Sequence, residues 1–133
     1  MCLTTKDPTI KIAEEDITVY KCLDKKKVKR KGFFNRLFNG KYRIAFEAMN
    51  HNHEYKIGKL NSPIKIKAVA DRYDEFSVEK GYHSFVDQDN PRVSSINALF
   101  IIPKGTKYIK GWYNDDENIL NYVSETIIFV KEI

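Results

Sequence analysis

The chain has 133 residues, 42% hydrophobic and 31% charged, with a formal net charge of +5. Such a length closes one modest core and leaves no room for separate catalytic and regulatory domains. No apolar run approaches the roughly 20 residues of a membrane-spanning helix, so no membrane is expected among the partners.

The opening Met1-Cys2-Leu3-Thr4-Thr5-Lys6-Asp7-Pro8 lacks the apolar stretch of a secretory signal, which predicts a cytoplasmic protein. Cys2 and Cys22 are the only cysteines, too few for a disulfide framework or a zinc site. Cys22 reads as a small buried hydrophobe.

In chain order, residues 1–16 read as an irregular arm ending in Glu14-Glu15-Asp16. Residues 17–23 alternate apolar and polar with β-branched side chains, which predicts a half-buried strand. The lysine run that follows is expected to end it. Gly32 and Gly40 bracket Phe33, Phe34, Leu37 and Phe38, four apolar residues on one helical face. Residues 24–40 are therefore expected to form a basic loop carrying a short amphipathic helix, an excursion from the domain.

Strands are predicted next over residues 42–47, 54–58 and 63–70, the last with the clearest alternation, separated by Asn-rich turns. Gly81 opens another at residues 81–85. Residues 87–97 hold turn formers and room for a second short helix. Ala98-Leu99-Phe100-Ile101-Ile102 is apolar enough for a central strand. The Pro103-Lys104-Gly105-Thr106 turn should return residues 107–113 as its hairpin partner. After an acidic loop at residues 114–118, residues 122–130 read as one last, central strand. The expected fold is α+β and β-rich: a single compact domain of mostly antiparallel sheet with one or two short helices.

No catalytic set emerges from the titratable residues. Adjacent His51-Asn52-His53 lacks the further ligands a metal site needs. His83 and Ser84 are neighbours on a strand and point to opposite faces, so they cannot act as a base and nucleophile pair. Glu14/Glu15, Asp74/Glu75 and Asp115/Asp116 lie in polar stretches without the burial that tunes a carboxyl. No phosphate-binding loop is present. The chain is expected to be no enzyme, with no cofactor and no metal.

The charge is where the sequence speaks. Residues 21–43 hold Lys21, Lys25, Lys26, Lys27, Lys29, Arg30, Lys31, Arg36, Lys41 and Arg43 against Asp24 alone, so the rest of the chain is net acidic. Cations neutralise phosphates and aromatic faces stack on unpaired bases. A partner site is expected at Lys25, Lys26, Lys27, Lys29, Arg30, Lys31, Phe33, Phe34, Arg36, Lys41 and Arg43. An acidic protein groove would attract the same cations. The competing reading is a solvated lysine loop whose phenylalanines plug the core.

Several phrases in order carry a resemblance: Asp16-Ile17-Thr18-Val19-Tyr20-Lys21, Tyr55-Lys56-Ile57-Gly58-Lys59-Leu60, Gly81-Tyr82-His83-Ser84-Phe85, residues 101–108 and Tyr122-Val123-Ser124. Together they resemble a group of small uncharacterised phage and mobile-element proteins of Bacteroidota-type bacteria. The resemblance implies a mobile-element setting and carries no activity. A fainter likeness is to a degenerate ADP-ribosyltransferase fold, with Lys21, Ser84, Pro103-Lys104-Gly105-Thr106 and Glu125 in the comparable order. Lys21 stands where that family has Arg or His, Phe85 breaks its Ser-Thr-Ser pattern, and its Glu-x-Glu pair is absent.

The reading that follows is an accessory protein that binds a host protein or ribonucleoprotein complex, with RNA or DNA contact through residues 25–43. An inhibitor of a bacterial defence system, anti-CRISPR-like, is its concrete form. The alternative is a nucleotide-binding protein or enzyme of the ADP-ribosyltransferase kind.

Overall fold

In the computed structural model, which describes residues 3–48, 53–71, 74–88, 96–113 and 116–133, the longest element is a strand through the lysine run. The strands are β1 (Leu3–Thr5), β2 (Lys11–Ile12), β3 (Ile17–Lys29), β4 (Tyr42–Ala48), β5 (Glu54–Tyr55), β6 (Val69–Ala70), β7 (Phe76–Val78), β8 (Tyr82–Phe85), β9 (Ile96–Ile102), β10 (Lys107–Tyr113), β11 (Asp116–Ser124) and β12 (Ile128–Glu132). One helix, α1, spans Phe33–Asn39. Every ladder between these strands is antiparallel. The result is a β-rich α+β domain with a single short helix among the described residues.

Across the sheet the order is β12, β9, β3, β8, β11, β10, β1, β7, β6; β2 lies on β10, and β4 runs with β3 and carries β5. Residues 3–16 are thus no irregular arm, since β1 pairs with both β10 and β7 and β2 pairs with β10. β9 pairs with β3 and β12 instead of forming a hairpin with β10. The turn between them is gripped by the N-terminal segment: Gly105 N donates to Ala13 O at 2.8 Å and Ala13 N to Thr106 O at 2.9 Å. Held there, the chain is redirected to another part of the sheet.

The predicted strand over residues 122–130 is two strands. The backbone breaks at Glu125–Ile127, because a crossing segment takes its carbonyls. Ile64 N donates to Glu125 O at 2.8 Å, Asn61 N to Ile127 O at 3.2 Å, and Asn61 Nδ2 to the same oxygen at 2.7 Å. Ile57 and Leu60 form isolated bridges to Phe129 and Ile128. A loop therefore covers the flank of β12, an arrangement that hides an otherwise sticky edge. This use of the crossing segment is also why residues 63–70 form a ladder only at β6, despite their clear alternation. Likewise only Glu54–Tyr55 of the predicted 54–58 strand is laddered. The possible helix over residues 87–97 falls mostly outside the described residues.

The core comes in two pieces. Val19, Leu23, Phe100, Ile102, Ile127 and Phe129 are wholly buried in one, with Tyr55 and Tyr82 packed among them. Phe100 and Phe129 stack at 5.0 Å, and Phe46 meets Phe129 edge-on at the same distance. Leu3, Ile66, Val78, Ile109 and Val123 make the other. Gly81 lets β8 enter against this second cluster: its φ is +129°, and a Cβ there would meet Val123 Cγ1 at 2.5 Å and Ile66 Cγ2 at 2.8 Å.

Candidate functional site

β3 begins in the body and ends outside it. Val19 and Leu23 are fully buried, whereas Lys25, Lys26, Lys27 and Lys29 are exposed. Leu23 still pairs with Ile96 of β9 as well as Ala48 of β4; from Asp24 outward, among the described residues, β3 pairs only with β4, in the register Asp24↔Glu47 through Lys29↔Tyr42. Arg30 N donates to Lys41 O at 2.8 Å and closes the last rung. The lysine run expected to be a loop is thus one strand of a two-stranded ribbon. The paired backbone holds it extended, and lysine stems tolerate a strand when their ammonium groups reach water. At about 3.3 Å per residue, β3 is roughly 40 Å long. Its start follows the exposed Glu14, Glu15 and Asp16, so the charge is polarised along the strand.

The tip is α1, as its two bracketing glycines imply. Gly32 and Gly40 have φ of 88° and 89°, conformations that favour glycine, and neither end has a side-chain cap. None of its residues is buried: Phe33 and Phe34 are each 71% exposed, Leu37 63% and Phe38 78%. The phenylalanines do not plug the core. With only a two-stranded ribbon beneath them, they have no second layer to enter.

The register sorts the ribbon's side chains into two faces. On one face each lysine of β3 lies opposite an apolar or aromatic residue of β4: Lys25 with Phe46, Lys27 with Ile44, Lys29 with Tyr42. The first rung is anchored, since Phe46 packs on Phe129 and Lys25 Nζ lies 6.0 Å from the Phe46 ring centre. Farther out Ile44 and Tyr42 are 48% and 58% exposed. Lys29, Phe33, Arg36, Leu37, Lys41 and Tyr42 then line an open groove of about 450 Å³ between ribbon and helix. The Nε atoms of Arg30 and Arg36 are shielded from solvent and have no hydrogen-bond partner among the described residues.

Charge pairing separates the ribbon's base from its tip. Lys25 meets Glu132 at 3.0 Å and Lys26 meets Glu47 at 3.0 Å. Arg43 meets both oxygens of Glu54, at 2.9 and 2.8 Å. Hydrogen bonding, then Coulomb attraction, raises the pKa of Lys26 and Arg43, while the hydrogen bond from Arg43 holds Glu54 below the usual carboxylate range. No ion pair joins Lys27, Lys29, Arg30, Lys31, Arg36 or Lys41 to an acidic residue among those described. Among the described residues, the ribbon's cations without an ion pair run from Lys27 in mid-ribbon out to the tip.

All eleven sequence-predicted site residues fall on this ribbon and its helix. Lys25 and Lys26 are paired near its base, and Arg43, opposite Val28 on an outer rung, is paired with Glu54 of β5; Lys27 lies mid-ribbon, and Lys29, Arg30, Lys31, Phe33, Phe34, Arg36 and Lys41 lie farther out. Missing from the predicted set are Leu37, Tyr42 and Ile44. The alternation of residues 42–46 was the available signal, but only the pairing with β3 sets those side chains beside the lysines.

Lys21 belongs to the body: its Nζ donates to His83 O and lies 5.6 Å from the Tyr55 ring centre. Burial raises the pKa of Tyr55. Ser84 is 1% exposed within β8, and Glu125 lies just past β11. His83 Nε2 sits 2.7 Å from Glu79 O. His53 is half-buried, with Nε2 2.9 Å from Asn61 Oδ1 and its ring 4.6 Å from Tyr55. His51, Cys2 and Asp115 lie outside the described residues. Cys22 is buried, with Sγ 3.2 Å from Asn97 Oδ1. No family model, curated protein or solved structure matches the chain. The residues and their geometry carry the functional reading.

Proposed function

We propose that this protein acts by binding, with the sheet as a rigid platform and the β3–β4 ribbon as the part that meets a host nucleic-acid machine. The observation that carries the reading is the outer ribbon and its tip, where six cations without ion pairs among the described residues accompany a helix whose four large apolar residues are all exposed. An exposed apolar cluster has no stabilising role in an isolated domain and commonly marks an interaction surface. The surrounding cations select an anionic partner and speed encounter with it. In the mobile-element setting that the sequence resemblance implies, the partner is a host protein or ribonucleoprotein complex, and the effect of docking is inhibition, as of a defence system.

The test replaces Lys25, Lys26, Lys27, Lys29, Arg30 and Lys31 by Gln. The expected result is loss of partner capture from host lysate with the circular dichroism spectrum preserved. Undiminished capture by the neutralised variant overturns the proposal. Capture with and without nuclease separates a nucleic-acid target from a protein one. For the nucleotide-handling alternative, Ser84 is buried within β8. A thermal shift with NAD or ADP-ribose would favour that alternative.

A further inference from the structure

The ribbon has two faces of unequal chemistry, and only one has its cations in a row beside apolar and aromatic side chains. On it Lys25, Lys27 and Lys29 run along β3, and Phe46, Ile44 and Tyr42 run parallel to them along β4. Successive lysines are two residues apart, about 6.8 Å in an extended strand. That spacing is comparable with the phosphate step of an extended single-stranded nucleic acid. The two rows lie one inter-strand distance apart, about 4.8 Å. A single strand has the same two-row layout, with charge along one side and planar bases along the other. The opposite face is different: Asp24, Lys26 and Val28 oppose Glu47, Ala45 and Arg43, and both of its cations, Lys26 and Arg43, are held by Glu47 and Glu54.

From these rows we infer that the Lys27/Lys29–Ile44/Tyr42 face and the groove under α1 bind single-stranded nucleic acid. This rests on the ribbon being the contact surface and names what it contacts. Lys27 and Lys29 take successive phosphates. The chain then reaches the groove, where Tyr42 and Phe33 offer ring faces to bases while Arg36 and Lys41 flank them with charge. Tyr42 is 58% exposed and Phe33 71%, so neither must leave a core to stack. A duplex hides its base faces and would engage the cations alone. An acidic protein groove would engage the cations but has no need of the exposed Tyr42 and Phe33 rings beside them.

The experiment is fluorescence anisotropy of the intact protein with dye-labelled oligo-dT and oligo-rU of fifteen nucleotides, and with a hairpin duplex of equal charge, over a series of salt concentrations. Single strands should bind more tightly than the duplex. With Lys27, Lys29, Arg36 and Lys41 as the phosphate contacts, the slope of log affinity against log salt should be about −3. Tyr42→Ala and Phe33→Ala should each weaken single-strand binding about 5- to 150-fold. Tyr42→Phe, which keeps the ring, should retain affinity. Lys27→Gln with Lys29→Gln should flatten the salt slope by about 1.4.

Equal affinity for the duplex, or indifference to loss of the Tyr42 and Phe33 rings, overturns the inference. Should no oligonucleotide bind while the ribbon is still required to capture a nuclease-resistant host protein, this inference falls and the proposed function stands. If the ribbon is needed for neither, both fall.

Discussion

Phe100 and Phe129 stack in the body without exposed surface, while Phe33, Phe34 and Phe38, residues of the same type, stand at least 71% exposed on the ribbon. β3 passes from one setting to the other within two residues, from buried Leu23 to exposed Lys25. The difference is the number of layers. In the body a side chain leaving the sheet meets other side chains, from Tyr55 and Phe129 among others. Outward of buried Ala45 and of Phe46, which packs on Phe129, the two-stranded ribbon leaves Ile44, Tyr42 and the apolar residues of α1 largely exposed. Hydrophobicity drives burial only where a second surface exists to bury against. The body spends its aromatics on stability, and the ribbon leaves its own available to a partner.

Truncation measures that contrast most strongly. Phe100→Ala should cost about 3–5 kcal/mol, because it opens a cavity in a closed core. Phe34→Ala or Phe38→Ala should stay within about 0.5 kcal/mol, as for other surface changes. Chemical denaturation of the three variants checks both halves. A tip truncation as costly as the core one would mean that α1 is packed in solution, and the ribbon would lose its claim to be a docking element.

A smaller effect is expected where the two regions join. Glu54 of β5 holds Arg43 of β4 through two hydrogen bonds. Its carboxyl is below the ordinary value in the folded protein, so its contribution is present above the unfolded carboxylate pKa and is lost as pH falls through the lowered folded value. Glu54→Gln should therefore lower Tm slightly at pH 7, and the difference from wild type should shrink as pH falls through the lowered folded value. The pair is partly exposed, so the effect is modest and weakens with salt. Thermal melts of both proteins across that pH range would show it. An equal penalty at both pH extremes would assign Glu54 a packing role instead.

Local pattern reveals much of the body. The alternations at residues 17–23, 42–47 and 81–85 and the apolar run at 98–102 are strands, because each has a face or two to bury and the composition to do so. What local pattern does not contain is pairing between distant segments. Residues 63–70 alternate as cleanly as any strand, yet Asn61 and Ile64 spend backbone donors on the break at Glu125–Ile127. The β9–β10 turn looks like a hairpin because the grip of Ala13 on it comes from ninety residues upstream.

The candidate site divides in the same way. Its cations and phenylalanines stand out by composition, and its helix by two glycines. The lysine run was expected to break a strand because strand propensity is read residue by residue, whereas pairing with β4 decides the matter. Without that pairing the two faces do not exist, and neither does the alignment of Lys27 and Lys29 with Ile44 and Tyr42.

The most direct test removes the ribbon and leaves the body. Lys26 and Ala45 are paired across it, so residues 27–44 can be replaced by Asn-Gly, the dipeptide suited to a two-residue hairpin turn. The account predicts a shortened protein whose Tm stays within about 3 °C of the wild type, the range of a small surface change, and which captures neither oligonucleotide nor host complex. A shortened protein that unfolds, or one that binds as the whole chain does, would contradict it.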